Sequence, residues 1–222
     1  MGNWSEELIH CRACERLVQW RNQVSFKKPK RFKHWIYWAR PVLGFGDTNA
    51  ELLIVGLAPA GHGGNRTGRL FTGDRSGEWL FDALYKFGFA SHPESKHFND
   101  SMELYNAYIT AVCRCVPPKN KPSTEELKNC QTFLEADLNN LPHLKAVLTL
   151  GGIATTWFGR LIGEKLAFKH GKIQQASYKS RTLTVFMSYH PSQQNTFTGR
   201  LTRQMWYKVF KDIKEFLSLK QI

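Results

Sequence analysis

The stretch Leu52-Leu53-Ile54-Val55-Gly56-Leu57-Ala58-Pro59-Ala60-Gly61 decides the fold. Four consecutive aliphatic residues ended by glycine describe a strand buried on both faces, as the central strands of parallel sheets are. Tyr108-Ile109-Thr110-Ala111-Val112 and residues 145–150 and 183–187 repeat the pattern further along. Helical periodicity fills the intervals. Residues 76–87 place Trp79, Leu80, Ala83 and Leu84 on one face, and Ser123 with Glu126 forms a capping box opening a helix with Leu127, Cys130, Phe133, Leu134 and Leu138 inward. A Gly151-Gly152 turn starts another helix, and residues 202–219 carry an apolar stripe that is core packing. Strands alternating with helices predict an α/β fold, three-layer α/β/α with a four-stranded parallel central sheet. No repeat, low-complexity tract or linker interrupts the chain, so residues 1–222 are read as a single domain.

In such sheets ligands bind beyond the carboxyl ends of the strands. The loops after Val55, Val112, Leu150 and Met187 are therefore expected on one edge, which brings residues 56–74 beside residues 190–200. The first of these loops is dense in glycine and carries Phe71, Arg66, Arg69 and Asp74. Glycines let backbone amides approach a ligand closely. The loop fits neither the Walker pattern nor the dinucleotide fingerprint, which disfavours a phosphate-loop nucleotidase. Zinc-deaminase chemistry is also disfavoured, because no His-x-Glu with a following Pro-Cys-x-x-Cys is present.

Composition bounds the partners. Lys plus Arg is 31 against 18 for Asp plus Glu, a net charge of +13. That excess favours a polyanion, since Lys and Arg release the counterions condensed on a phosphate backbone. Lys27-Lys28-Pro29-Lys30-Arg31-Phe32-Lys33-His34-Trp35 interleaves cations with aromatics, as a nucleic-acid groove requires, although a solvated basic face has the same composition. The apolar runs are too short to cross a bilayer. Residues 1–7 have neither the basic nor the apolar region of a secretory signal, and Glu6 stands where a myristoylation pattern after Gly2 needs Ser or Thr. A cytoplasmic protein, with no membrane partner, is expected.

Five cysteines without an export signal point to a metal site or free thiols rather than disulfides. Cys11 and Cys14 form a C-x2-C pair that can present both sulfurs from one turn, and Cys115 and Cys130 follow in the middle of the chain. Cys130 also lies on an apolar helix stripe and Cys14 can be a small packed hydrophobe. The spacing does not separate zinc from iron–sulfur.

The segment from Gly56 to Asp74 resembles the first motif of the uracil-DNA glycosylase superfamily, in particular family 5, the B-type enzymes. His190-Pro-Ser-Gln-Gln-Asn-Thr-Phe-Thr-Gly-Arg-Leu201 resembles the second motif, and Arg114-Cys115-Val-Pro-Pro-Lys-Asn120 the connecting segment of the iron–sulfur branch. Cys11-x2-Cys14 followed by Glu-Arg-Leu is similar to that branch's amino terminus. The resemblance implies a [4Fe–4S] cluster on Cys11, Cys14, Cys115 and Cys130 that leaves Cys113 free. It implies a monomer that acts on DNA containing uracil or other deaminated bases and hydrolyses the N-glycosidic bond, on nucleoid DNA if the source is prokaryotic. Leu57-Ala58 lacks the acidic residue of the better-known families, a feature of the B-type branch, and this moves the carboxylate role to Asp74. Ala111 stands where those enzymes read the uracil edge with Asn, and B-type enzymes accept hypoxanthine as well.

The chemistry sets the roles. Departing uracil takes negative charge and leaves an oxocarbenium-like sugar, so a donor is needed at the base and a carboxylate near the sugar and water. His190 is the candidate donor, against the plainer reading of a satisfied strand-end histidine. Asp74 would orient water or stabilise the cation, or simply cap the helix it precedes. Phe71 would stack on the flipped base, or pack in the core. Asn120 would bind water or the base edge, or serve only as turn chemistry. Ala58, Pro59, Ala60 and Gly61 would wall the pocket. Ser192 with Arg66, Thr67 or Arg200 would grip phosphates, and Asn195 with its two glutamine neighbours would fill the vacated stack. Two other functions remain open on the residues alone: a zinc-containing DNA-binding module without catalysis, and an electron-transfer protein.

Overall fold

The computed structural model describes residues 4–218. The chain start weighed above for a signal or an acylated Gly2, and Leu219 of the last stripe, lie outside them. Two helices come first, α1 (Trp4–His10) and α2 (Glu15–Phe26), followed by a two-residue strand β1 (Phe45–Gly46). Next are β2 (Leu52–Gly56), the single turn α3 (Gly64–Thr67), α4 (Arg75–Lys86) and β3 (Ala107–Ala111). The second half runs α5 (Thr124–Asn139), β4 (Ala146–Leu150), α6 (Gly152–Ile162), β5 (Ile173–Tyr178), β6 (Arg181–Ser188), α7 (Gln193–Phe197) and α8 (Arg203–Ser218).

The sheet order is β1-β3-β2-β4-β6-β5. Its middle is the parallel quartet β3-β2-β4-β6, with Ile54 opposite Ile109 on one side and Leu148 on the other. The expected four strands are these, but the sheet has six. β1 and β5 are added at the borders, both antiparallel. Neither advertises itself: β1 is too short for any period, and β5 (Ile-Gln-Gln-Ala-Ser-Tyr) exposes Ile173 beside Gln175 and Ser177 and so shows no clean apolar alternation.

Successive strand side chains point to opposite faces, and β2 is buried along its whole length. Leu52 and Ile54 therefore enter a core with α4 and α8, where Trp206 and Phe210 are fully enclosed. Leu53 and Val55 enter a second core with Leu127 and Leu134 of α5 and Phe158 of α6. These are the three layers. Ser123 accepts from the Glu126 amide at 3.2 Å while the Glu126 carboxylate accepts from the Ser123 amide at 2.7 Å, so the predicted capping box is present. No helix among the described residues is long and apolar enough to cross a membrane.

Candidate active site

The loop leaving β2 folds back on itself. The Ala60 carbonyl accepts from the amides of Gly63 (3.2 Å) and Asn65 (3.0 Å), and α3 follows at once. The chain then delivers Phe71 with φ at 55°, a left-handed backbone that non-glycine residues rarely adopt. The conformation is held from below, because a Cβ at Gly77 would sit 1.6 Å from the Phe71 carbonyl oxygen. The first turn of α4 can reach that carbonyl only with a glycine.

Asp74 caps α4, its Oδ1 accepting from the Gly77 amide at 2.9 Å. Its other oxygen leans on the glycine loop: a Cβ at Gly63 would lie 2.1 Å from Oδ2. Burial holds this carboxyl above the usual aspartate range, the Gly77 and Ser76 amides opposing it. Asp74 lines a cavity of about 560 Å3 together with Gly73, Arg66, Phe32, Trp35 and His97. Arg66 is itself buried, its Nε donating to the His62 carbonyl (2.7 Å) and Nη2 to that of Gly73 (3.2 Å). The guanidinium lies 4.2 Å from the Phe32 ring centre and 4.1 Å from that of Trp35.

The second loop leaves β6. His190 sits in it with its carbonyl accepting from Asn195 Nδ2 and from the Ser192 amide, both at 2.8 Å. Ser192 caps the short α7, its hydroxyl accepting from the Asn195 amide at 3.4 Å. Burial drops the His190 imidazole to a pKa of about 4, so it is neutral at pH 7. The two loops, and the helices they lead into, meet. The Phe71 and His190 rings stack with centres 5.9 Å apart and 26° between planes. The guanidinium of Arg75, next to Asp74, lies 4.6 Å from the Phe197 ring centre on α7.

Phe71 and His190 thus meet beyond the strand ends, with Asp74 three residues on from Phe71 and Ala58, Pro59, Ala60 and Gly61 in the loop that leaves β2. Asn120 stands apart from these contacts, exposed on a turn of the β3–α5 connection with φ at 55°. Asn195 spends its amide on the His190 backbone, and Arg66 is committed to carbonyls and aromatic faces. The Arg75–Phe197 contact and the need for glycine at 63 and 77 are new. Gly-Asp-Arg-Ser-Gly carried the hint, since an N-cap with glycine three residues on leaves room above the first turn.

Cys11, Cys14, Cys115 and Cys130 line one small cavity. Cys11 follows α1, Cys14 caps α2, Cys115 lies beyond β3 and Cys130 is on α5. Arg21 Nη1 donates to Cys115 Sγ at 3.1 Å and Asn129 Nδ2 to Cys14 Sγ at 3.5 Å. Arg114, fully buried, also lines the cavity and pairs with the equally buried Asp137. Nε of Arg21 and both Nε and Nη1 of Arg114 are buried without a hydrogen-bond partner. Cys113 is enclosed outside the cavity lining, its thiol donating to the Cys115 carbonyl at 3.3 Å. Among the described residues no three His, Cys, Asp or Glu side chains are grouped closely enough for a single metal ion.

Comparison with known proteins gives a consistent picture. The model of the uracil DNA glycosylase superfamily matches residues 43–214. A type-5 uracil-DNA glycosylase of Thermus thermophilus is 44% identical over 96% of this chain and 97% of its own length. One from Pyrobaculum aerophilum is 43% identical over 92% of this chain and 88% of its own. A type-4 uracil-DNA glycosylase of Sulfurisphaera tokodaii is more distant, 28% identical over 84% of this chain and 79% of its own. At that identity and coverage, the chain belongs to the type-5 branch of the uracil-DNA glycosylase superfamily.

Proposed function

We propose that this protein removes uracil from DNA by hydrolysing the bond between the base and deoxyribose, with Phe71, Asp74 and His190 as the working residues. The observation that carries the assignment is the stacked contact of Phe71 with His190, one turn of chain from a buried carboxylate. A base inside a duplex cannot reach such an edge, so the nucleotide is extruded first. Rings 5.9 Å apart are in direct aromatic contact and leave no room for a third ring between them. The base therefore slides over the Phe71 face as His190 swings aside, which brings an imidazole nitrogen to its edge.

The C1′–N bond then breaks with its electron pair going to the base. His190, neutral, donates a hydrogen bond to the charge arriving on the base oxygen. Ionised Asp74 stabilises the sugar cation and orients water toward C1′. The water oxygen bonds to C1′, one proton is lost, and the base anion regains one. Asn195 acts on His190 through the carbonyl it holds. Residues Ala58, Pro59, Ala60 and Gly61 wall the base site, Asn120 on the exposed β3–α5 turn binds water or the base edge once DNA is seated, and Ser192 with Arg200 contacts phosphates. Ala111, in register with Gly56, offers no polar side chain to read a base edge. Hypoxanthine and xanthine therefore belong to the substrate range.

The cysteine cavity fits a [4Fe–4S] cluster. Its four thiols are spaced too widely for a single ion and match in number the four irons of a cube of alternating iron and sulfide, and Arg21 and Arg114, whose buried N–H groups lack partners, line the same cavity. Bound there, the cluster would supply a cross-link between the amino-terminal helices, β3 and α5. A zinc-containing module finds no support in that spacing. We take the whole chain as one domain, monomeric, working in the cytoplasm, on nucleoid DNA if the source is prokaryotic.

The test is incubation with oligonucleotides carrying uracil, hypoxanthine or xanthine, followed by alkali. Strand scission at uracil that disappears in His190→Ala supports the assignment. Intact strands with wild-type protein overturn it.

A further inference from the structure

Residues 16–46 contain no Asp or Glu, and their basic run ends in Trp35-Ile36-Tyr37. Both neighbours of Ile36 are fixed. Trp35 stacks on His97 with centres 5.0 Å apart and 14° between planes, and lies against the Arg66 guanidinium. Its carbonyl accepts from Lys28 Nζ at 2.7 Å. The Tyr37 hydroxyl shares a 2.9 Å hydrogen bond with His62 Nδ1, and the amides of Trp38 and Ala39 donate to the Arg66 and Asn65 carbonyls, each at 3.0 Å. Ile36 between them is 93% exposed. A lone exposed aliphatic is ordinary; one held out on a backbone pinned at both sides, within a stretch of exposed Lys30, Arg31, Lys33 and His34, is a presented tip.

Its position relates it to the reaction. Arg66 ties this segment to Gly73, beside Asp74, while Arg75 on the other side of Asp74 ties α7 and the 66% exposed Phe197. Asp74 thus lies between two projections, each bearing a bare apolar side chain. The cavity wall between carries Glu78 and Glu94, the latter paired with Lys96.

We infer that Ile36 is a DNA wedge. Its side chain enters the base stack of a duplex on the side of Asp74 opposite α7, while the cations around it hold the phosphates of that strand. This rests on the glycosylase reading of Asp74 and His190. Wedges of this kind exchange unstacking energy for their own burial and for a bend that exposes the target nucleotide. A single strand has no stack to open, and there the wedge contributes nothing.

The experiment measures single-turnover excision of uracil from one oligonucleotide, single-stranded and duplexed, with 2-aminopurine beside the uracil reporting unstacking. For Ile36→Ser the expected result is an unchanged single-strand rate and a duplex rate lower by about tenfold or more, the scale of burying one isoleucine side chain. The fluorescence rise on duplex binding is lost, and Ile36→Leu restores both. Equal rates for Ile36→Ser and wild type on the duplex overturn the proposal, as does a parallel fall on both substrates. Wild-type protein inert on both would instead strike at the catalytic assignment beneath it.

Discussion

The ring of Phe71, carried by the loop after β2, stacks on the ring of His190, carried by the loop after β6, with centres 5.9 Å apart. In the proposed reaction the contact joins two roles, since one residue would offer a surface for the base and the other a hydrogen bond to it. It also states what binding costs, because the pair must part before a base can lie on Phe71.

Asp74 is both a helix cap and the proposed catalytic carboxylate, and the two roles separate by substitution. Asn caps as well as Asp. Asp74→Asn is expected to keep the melting temperature of the parent while its excision rate falls by about 10²–10⁴. Asp74→Ala loses the cap as well, at a cost of about 1 kcal/mol. A wild-type rate in folded Asp74→Asn refutes the assignment.

Stability and pH are linked through the same two side chains. His190 titrates near 4 when folded and near 6.5 when unfolded, so its contribution is complete above the unfolded value. It is lost as pH falls from about 6.5 to 4, by up to about 3 kcal/mol. His190→Asn is expected to flatten that part of the denaturation profile. Asp74 has the opposite sign: its raised pKa favours the folded protein below the ordinary aspartate range and weakens it once pH climbs through the folded value. At pH 7 Asp74→Asn is therefore at least as stable as the parent, and excision by the parent declines with acid earlier than an ordinary aspartate would give. Chemical denaturation across pH checks both.

Gly77→Ala would drive a methyl into the Phe71 carbonyl. Relief requires moving either the first turn of α4 or Phe71 itself, and a loss of about 2 kcal/mol or more follows, with weakened excision. An unaltered melting curve would show that the loop yields freely.

At the cysteine cavity, Arg21→Met removes the donor to Cys115 Sγ without removing a ligand. Hydrogen-bond partners of metal ligands are worth about 10–100-fold in affinity. Arg21→Met is expected to lose iron and visible colour to a chelator sooner than the parent, while Cys130→Ser never acquires them. Colourless, iron-free parent protein made under anaerobic conditions would remove the cluster from this account.

Much of this architecture is legible in the chain. Unbroken aliphatic runs such as Leu52-Leu53-Ile54-Val55 can be satisfied only between two layers, and topology then sends the loops after Val55 and Met187 to the same edge. What stays hidden depends on partners distant in sequence. Arg66 reads as a phosphate ligand until Phe32 and Trp35 close over it, and Asn195 reads as a side chain for the DNA until the His190 carbonyl claims it. The β5 strand stays hidden because its pairing with β6 is made by backbone, to which Gln174 and Gln175 give no signal. Four cysteines at irregular spacing announce a site; the resemblance leaves Cys113 out of it, and the fold places Cys113 outside the cavity that Cys115 lines.

The two borders of the sheet have a consequence for life at high local concentration. An open strand edge invites another molecule to add its own backbone. Here one rim is only Phe45–Gly46, and the other is lined with glutamine, serine and the neighbouring Lys179. Neither rim is therefore a long, uniformly apolar edge for a second copy to extend.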